Sequence, residues 1–408
     1  MQILYRRFES GRRLLFNLPP ANLMGGPLSQ VVGRRYDSGA AVCVEIDSAT
    51  VADIRPVRHA DSPLPWIAPG LVDLQINGYG GIELTSSELT TENVRQVVGS
   101  QDRFGVVRCC PTVTTHAEEV LCHALSTIAR AVDELPEVAA RFAGIHLEGP
   151  FISPEDGPRG AHPREHVRPP DWELFCRLQE AAGGHIRLLT LAPEGRAAID
   201  LISRATRSGV RVALGHTAAD HATISRAVDA GAVLSTHLGN GAHATLPRHP
   251  NYIWDQLAED RLMASLIADG AHLPWSVLRS FIRAKQPHRC ILVSDLAGTA
   301  GRPPGTYTTP LGQVELLPDG RIVVAGQRAY LAGAGLPIDR GVSHVLQYGG
   351  VTLAEAIAMA STAPATLLGL PPHGLRRGAS ADFVLFDRLP DGGIEVTGTI
   401  VRGERVAG

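Results

Sequence analysis

Lysine is almost missing from this chain: Lys285 stands alone, and every other basic side chain among the 38 lysines and arginines is arginine. It lies in Arg283-Ala284-Lys285-Gln286, which reads as the polar end of a helix. Schiff-base chemistry and a metal pair bridged by a modified lysine both need a lysine in the site, so neither is expected. Cysteine is sparse as well. Cys43, Cys109, Cys110, Cys122, Cys176 and Cys290 form no C-x-x-C pair, which argues against a zinc–thiolate site. Their usage suits reduced thiols in a cytoplasmic protein. No apolar run is long enough to span a bilayer. Residues 1–16 are broken by Arg6, Arg7, Arg12 and Arg13 and lack the apolar centre of a secretory signal. They read as a poorly ordered or strand-forming end. Charge excess is small too, at a formal −3, so neither nucleic acid nor an anionic membrane is an expected partner. A phosphate on a ligand would have to be met by local groups.

What is present is a globular composition, 44% hydrophobic and 19% charged over 408 residues, enough for one α/β barrel and a small accessory domain. Both ends look strand-rich. Ala41-Val42-Cys43-Val44-Glu45-Ile46 and Val51-Ala52-Asp53-Ile54 flank a turn at Asp47-Ser48. Near the other end, Asp382-Phe383-Val384-Leu385-Phe386-Asp387 and the segments from Gly393 and Thr399 look similar. The two ends are expected to meet in one small β-sandwich, formed by residues 1–66 and 376–408. Between them, over 67–375, short apolar runs alternate with helical patterns, which points to βα units on a parallel sheet. Eight strands are expected, ending near Gln75–Asn77, Thr112–Thr114, Glu148, Leu191, His216, His237, Asp269 and Asp295. Eight is the count of a (β/α)₈ barrel.

Such barrels carry their chemistry at the C-terminal strand ends. Here those ends are dense in ionisable groups. Glu148, His216 and His237 make a zinc set that leaves a fourth position open, as in catalytic rather than structural sites. Bound zinc lowers the pKa of its water to about 7. Asp295 could take that water's proton and hand it to a leaving nitrogen. His146 sits two residues before Glu148 and faces the same side of a strand. It is expected as a support for Glu148, with ligation as the alternative.

Taken together, Pro69-Gly70-Leu71-Val72-Asp73, His146-Leu147-Glu148-Gly149-Pro150, Gly160-Ala161-His162, Leu191-Ala192-Pro193-Glu194, Gly215-His216-Thr217, Thr236-His237-Leu238-x-Asn240 and Asp269-Gly270-x-His272 resemble the motifs of the N-acetylglucosamine-6-phosphate deacetylases, within the amidohydrolase superfamily. The resemblance covers roughly Trp66 to Asp387. It implies a distorted barrel with a sandwich from both ends, a homodimer, and hydrolysis of an acetamido group. It makes Glu148, His216 and His237 metal ligands and Asp295 the catalytic acid/base. It places His162 and His272 on the substrate, His162 near the acetamido carbonyl, and Asn240, Gly241 and Arg248 on its phosphate, Arg248 matching an arginine that in related dimers can serve the neighbouring subunit's site. Ala161, Asp269, Leu331, Ala332 and Gly333 complete the implied substrate contacts. Many superfamily members carry His-x-His after the first strand. This chain has Gln75-x-Asn77, and amides are poor zinc ligands. One divalent ion per chain is therefore expected, zinc by its ligand set, with Gln75 and Asn77 assigned to substrate. The stretches Asn240-Gly241-Ala242 and Arg248-His249-Pro250-Asn251 depart from the family's usual phosphate loop. Two other readings stay open at this level: an amidohydrolase acting on a cyclic amide or N-acyl amino acid, and a non-catalytic scaffold with a degenerate metal site.

Overall fold

The computed structural model describes residues 27–57, 63–309 and 312–408. The expectation for residues 1–16 lies outside them. Eight parallel strands form one sheet: β1 (Leu71–Ile76), β2 (Val106–Thr114), β3 (Ile145–Glu148), β4 (Ile186–Leu191), β5 (Arg211–Leu214), β6 (Ala232–Ser235), β7 (Met263–Ile267) and β8 (Cys290–Val293). They pair in sequence order from β1 to β8. The ring closes beyond the strand ends, where Asp295 N donates to the Gln75 carbonyl at 3.0 Å and Asn77 N to the Leu296 carbonyl at 2.8 Å. The expected (β/α)₈ barrel is the fold.

Its strands are apolar on both faces because helices cover the outside and side chains fill the inside. On β4, Leu189 and Leu191 pack outward with the helices. Leu188 instead joins Ala213, Leu234 and Ile291 in a second cluster within the barrel. With period 2, Thr190 takes the next inward place, as His146 and Glu148 do on β3. The helices show the complementary pattern: Ala198–Arg207 buries Ala198, Leu201, Ile202 and Ala205 on one stripe.

Both chain ends share a seven-stranded sheet. Its order is Glu404–Ala407, Ile394–Val401, Phe383–Arg388, Trp66–Pro69, Gln30–Arg35, Ala41–Asp47 and Thr50–Pro56. The sheet curls over a common core in which Val31, Val42 and Val44 meet Phe383, Leu385 and Ile400, a sandwich-like arrangement. Trp66–Pro69 is the strand that joins the two halves, and it leads directly into β1. An antiparallel four-stranded sheet, Gly305–Thr309 to Gln327–Leu331, follows β8 and was not expected. It ends beside the barrel mouth: Ala334 N donates to the Asp295 carbonyl at 3.2 Å, which brings 331–333 next to Asp295.

Candidate active site

His216, His237, Asp269 and Asp295 do not end their strands. Each stands two residues beyond, after Leu214, Ser235, Ile267 and Val293. Three of them turn back over the barrel in left-handed backbone, with φ of 52° at His216, 28° at His237 and 54° at Asp295. Such conformations cost about 1–3 kcal/mol each at non-glycine residues, and persist only where neighbours hold them. Those neighbours are visible. Ser265 Oγ accepts from His237 N at 2.7 Å. Glu194, in a motif whose role the sequence left unassigned, accepts from Thr217 Oγ1 and Ala218 N, both at 2.6 Å, and so fixes the chain just after His216.

The turns aim the side chains at Glu148, the last residue of β3. Glu148 Oε1 lies 3.1 Å from His216 Nε2 and 2.9 Å from His237 Nε2. His162 Nε2 lies 3.2 Å from His216 Nε2. The proton positions can be worked out. His216 Nδ1 faces the Pro158 carbonyl at 2.8 Å, which only accepts, so Nδ1 carries the hydrogen and Nε2 keeps a lone pair in the neutral ring. His162 is similar. Thr115 Oγ1 donates to the Glu148 carbonyl at 3.4 Å, so it accepts from His162 Nδ1 at 2.9 Å and leaves Nε2 bare. Burial pushes His162 down to about 3, so it stays neutral near pH 7. Three acceptor atoms, from Glu148, His162 and His216, therefore lie within 4.8 Å of one another.

Facing acceptors need something positive between them, a proton or a cation. With protons, burial disfavours the charge on Glu148, but its hydrogen bonds to His216 and His237 outweigh this and hold it well below the usual carboxylate range. Burial likewise opposes charge on His237, yet the Glu148 hydrogen bond raises it. His237 Nδ1 is buried without a partner, unlike the supported Nδ1 of His216. The donor set, one carboxylate and imidazoles, fits a divalent ion.

Gln75 and Asn77 spend their amides on these acids. Gln75 Nε2 donates to Glu148 Oε2 at 3.1 Å, and Asn77 Nδ2 to Asp295 Oδ1 at 2.8 Å. Burial, then the charge of Glu148, raises the Asp295 carboxyl. On β7's loop, His272 Nδ1 donates to Asp269 Oδ2 at 2.7 Å, leaving Nε2 free. Asn240 caps the turn after His237, donating from Nδ2 to its carbonyl at 3.3 Å. Gly241 lies against His216: a Cβ there would come within 2.7 Å of Nδ1. Ala332 is buried, and Gly333 packs on Ala297. Ala161 is exposed, next to the buried His162. Arg248 lies on the exposed stretch 247–250.

His146 departs from expectation. It touches Leu74 and Thr190 rather than Glu148, so it neither supports that carboxylate directly nor ligates beside it. Its Nδ1 faces the Leu74 carbonyl at 3.1 Å and its Nε2 the Thr190 hydroxyl at 2.8 Å. Burial pushes the ring down to about 4 and keeps it neutral. Lys285 is also unlike its sequence reading. It ends a helix, Trp275–Lys285, but is fully buried, with Nζ donating to the Glu259 carbonyl at 2.6 Å and the Leu262 carbonyl at 2.8 Å. Neither of these partners belongs to the acid–imidazole cluster. Among the described residues no helix is long and apolar enough to cross a membrane.

Residues 66–406 match the sequence profile of the Amidohydrolase family. The chain belongs to that family. Among curated amidohydrolases of this kind, the N-acetylglucosamine-6-phosphate deacetylase of Bos taurus is 37% identical over 351 residues, 83% of each chain. The N-acetylgalactosamine-6-phosphate deacetylase of Shewanella sp. (strain ANA-3) is 33% identical over 332 residues, 79% of each. The crystal structure of N-acetyl-D-glucosamine-6-phosphate deacetylase from Mycobacterium smegmatis superposes with a TM-score of 0.81 at 30% identity, covering 90% of this chain and 96% of the other.

Proposed function

We propose that this amidohydrolase removes the acetyl group from N-acetylglucosamine 6-phosphate, or a close N-acetylhexosamine 6-phosphate, releasing acetate and the amino sugar phosphate. The observation that carries the reading is the meeting of Glu148, His216 and His237, both imidazoles on one Glu148 oxygen, with the bare Nε2 of His162 beside His216 and open to a substrate. In this reading Glu148, His216 and His237 hold one zinc ion, and His162 faces the acetamido carbonyl. When bound, such an ion activates a water and polarises the carbonyl. Asp295 receives the water's proton and returns it to the nitrogen as the C–N bond breaks and the C–O bond forms. Asn77 keeps Asp295 oriented. His272, held by Asp269, contacts the sugar, and Ala161 and 331–333 line the pocket. Asn240, Gly241 and Arg248 receive the phosphate. The family likeness to both a glucosamine and a galactosamine deacetylase supports a phosphorylated N-acetylhexosamine without selecting the epimer.

The same reading makes the protein a cytoplasmic homodimer. Six free cysteines support a reducing compartment.

The test is acetate release from zinc-loaded protein over a panel of N-acetylhexosamines with and without a 6-phosphate, plus N-acyl amino acids and cyclic amides. Release confined to phosphorylated sugars is expected. Release from the other amides alone would replace the deacetylase reading with a different amidohydrolase. No turnover on any of them would overturn it.

A further inference from the structure

Below the acid–imidazole cluster, one chain of hydrogen bonds crosses the barrel interior. The Leu74 carbonyl of β1 meets His146 Nδ1 at 3.1 Å, His146 Nε2 meets Thr190 Oγ1 at 2.8 Å, and Thr190 Oγ1 meets Thr236 Oγ1 at 2.7 Å. All three side chains are buried. The carbonyl can only accept, so in the neutral ring His146 donates to Leu74, Thr190 donates to His146, and Thr236 donates to Thr190. Each hydroxyl hydrogen has one place to go.

The chain lies next to the residues that matter. Leu74 precedes Gln75, which holds Glu148; His146 is two residues before Glu148 on β3; Thr236 directly precedes His237. It therefore links β1, β3 and β4 to the turn beyond β6. Thr190 on β4 and Thr236 just beyond β6 lie on either side of β5, and they can touch because Gly215 has no side chain. A Cβ at 215 would lie 2.8 Å from Thr190 Cγ2 and 2.8 Å from Thr236 Cβ.

We infer that His146, Thr190 and Thr236 are positioning residues, which set the separation of Glu148 from His237 and thereby the site's affinity for its cation. The inference rests on the metal-binding reading above. Groups hydrogen-bonded to a metal's ligands fix their geometry, and their loss typically weakens metal binding roughly 10–100-fold; this hydrogen-bond chain stands one step further back, so its loss is expected at the lower end of that range.

Two substitutions separate the hydrogen bonds from the packing. Thr190→Val keeps the shape and removes both bonds. Thr190→Ser keeps the bonds and removes a methyl group. The metal-stripped full chain is titrated with zinc against a competing chelator, and the thermal unfolding of each metal-free protein is recorded in parallel. Thr190→Val is expected to bind zinc roughly tenfold more weakly, and Thr190→Ser to stay within about threefold of the parent. Gly215→Ala, which wedges the two threonines apart, should resemble Thr190→Val. If Thr190→Val does not fold, Thr236→Val against Thr236→Ser makes the same comparison. Parent-like binding by the valine variant, or an equal or larger loss in the serine variant, overturns the inference. A parent protein that binds no zinc overturns the metal reading itself, a result distinguishable because it needs no variant.

Discussion

Asn77 Nδ2 donates to Asp295 Oδ1 at 2.8 Å, across the gap where the first and last barrel strands meet. The contact ties an amide of the β1 loop to the carboxyl proposed to carry the proton. Asn77→Leu removes it while keeping the count and branching of side-chain heavy atoms. A hydrogen bond to a charged group is worth about 1.5–3 kcal/mol, so turnover should fall about tenfold or more. Asp295→Asn should cost at least the roughly hundredfold of lost acid–base catalysis. Both variants should keep the parent's metal content, measured by elemental analysis. Near-normal turnover in Asp295→Asn would remove that residue from the mechanism.

Arg248 is exposed, and its guanidinium can grip a phosphate with two parallel bonds. Arg248→Ala should lower kcat/KM for 6-phosphorylated substrates about tenfold or more while sparing unphosphorylated ones. Arg248→Lys should recover only part of this, because an ammonium lacks the planar fork. If the residue serves the neighbouring subunit, mixing Arg248→Ala with Asp295→Asn chains should restore some activity. Equal losses on both substrate types would make Arg248 structural.

Lys285 is a stability residue by its contacts. Lys285→Met keeps the apolar stem and leaves the Glu259 and Leu262 carbonyls without their donor. An unpaired buried polar group costs about 1–3 kcal/mol. The unfolding midpoint in urea should drop clearly, while activity per folded molecule stays near that of the parent. A large activity loss at unchanged stability would contradict this.

Asp73 lies buried in β1, accepting from Gln75 N and Ser294 N at 3.2 Å each, with Oδ2 unpartnered. Burial pushes its carboxyl up to about 7. A raised folded pKa means the native state holds the proton more tightly than the unfolded chain. The stability this contributes is complete below the unfolded pKa, near about 4, and is lost as pH rises towards about 7. Between those limits the stability of the metal-free parent should therefore fall relative to Asp73→Asn as pH increases. Parallel stability–pH curves would show that Asp73 ionises normally.

Fold and site were legible to different depths. The eight strands showed because each is a short apolar run closed by polar residues, and a strand buried on both faces must look that way. Glu148, His216, His237 and Asp295 stood out as candidates because barrel chemistry collects at strand ends, and the fold brings them together. The left-handed backbone of His216, His237 and Asp295 did not show, since none is glycine and the strain is held by distant partners such as Ser265 and Glu194. The four-stranded insert after β8 was missed because its strands are short and partly exposed.

Which atoms could bind a cation follows from residue identity alone, because carboxylate and imidazole chemistry belongs to the side chain. The helix and strand alternation follows likewise, from local period. Which nitrogen of His216, His162 and His146 carries the proton is set by the folded chain. That depends on whether a carbonyl or a hydroxyl faces the ring, and Pro158, Thr115 and Leu74 reach His216, His162 and His146 from 58, 47 and 72 residues away in the chain. The folded chain also sets the place of Lys285, whose charge is buried because two carbonyls of the turn before β7 happen to meet it. Contacts of that range leave no local periodicity to read.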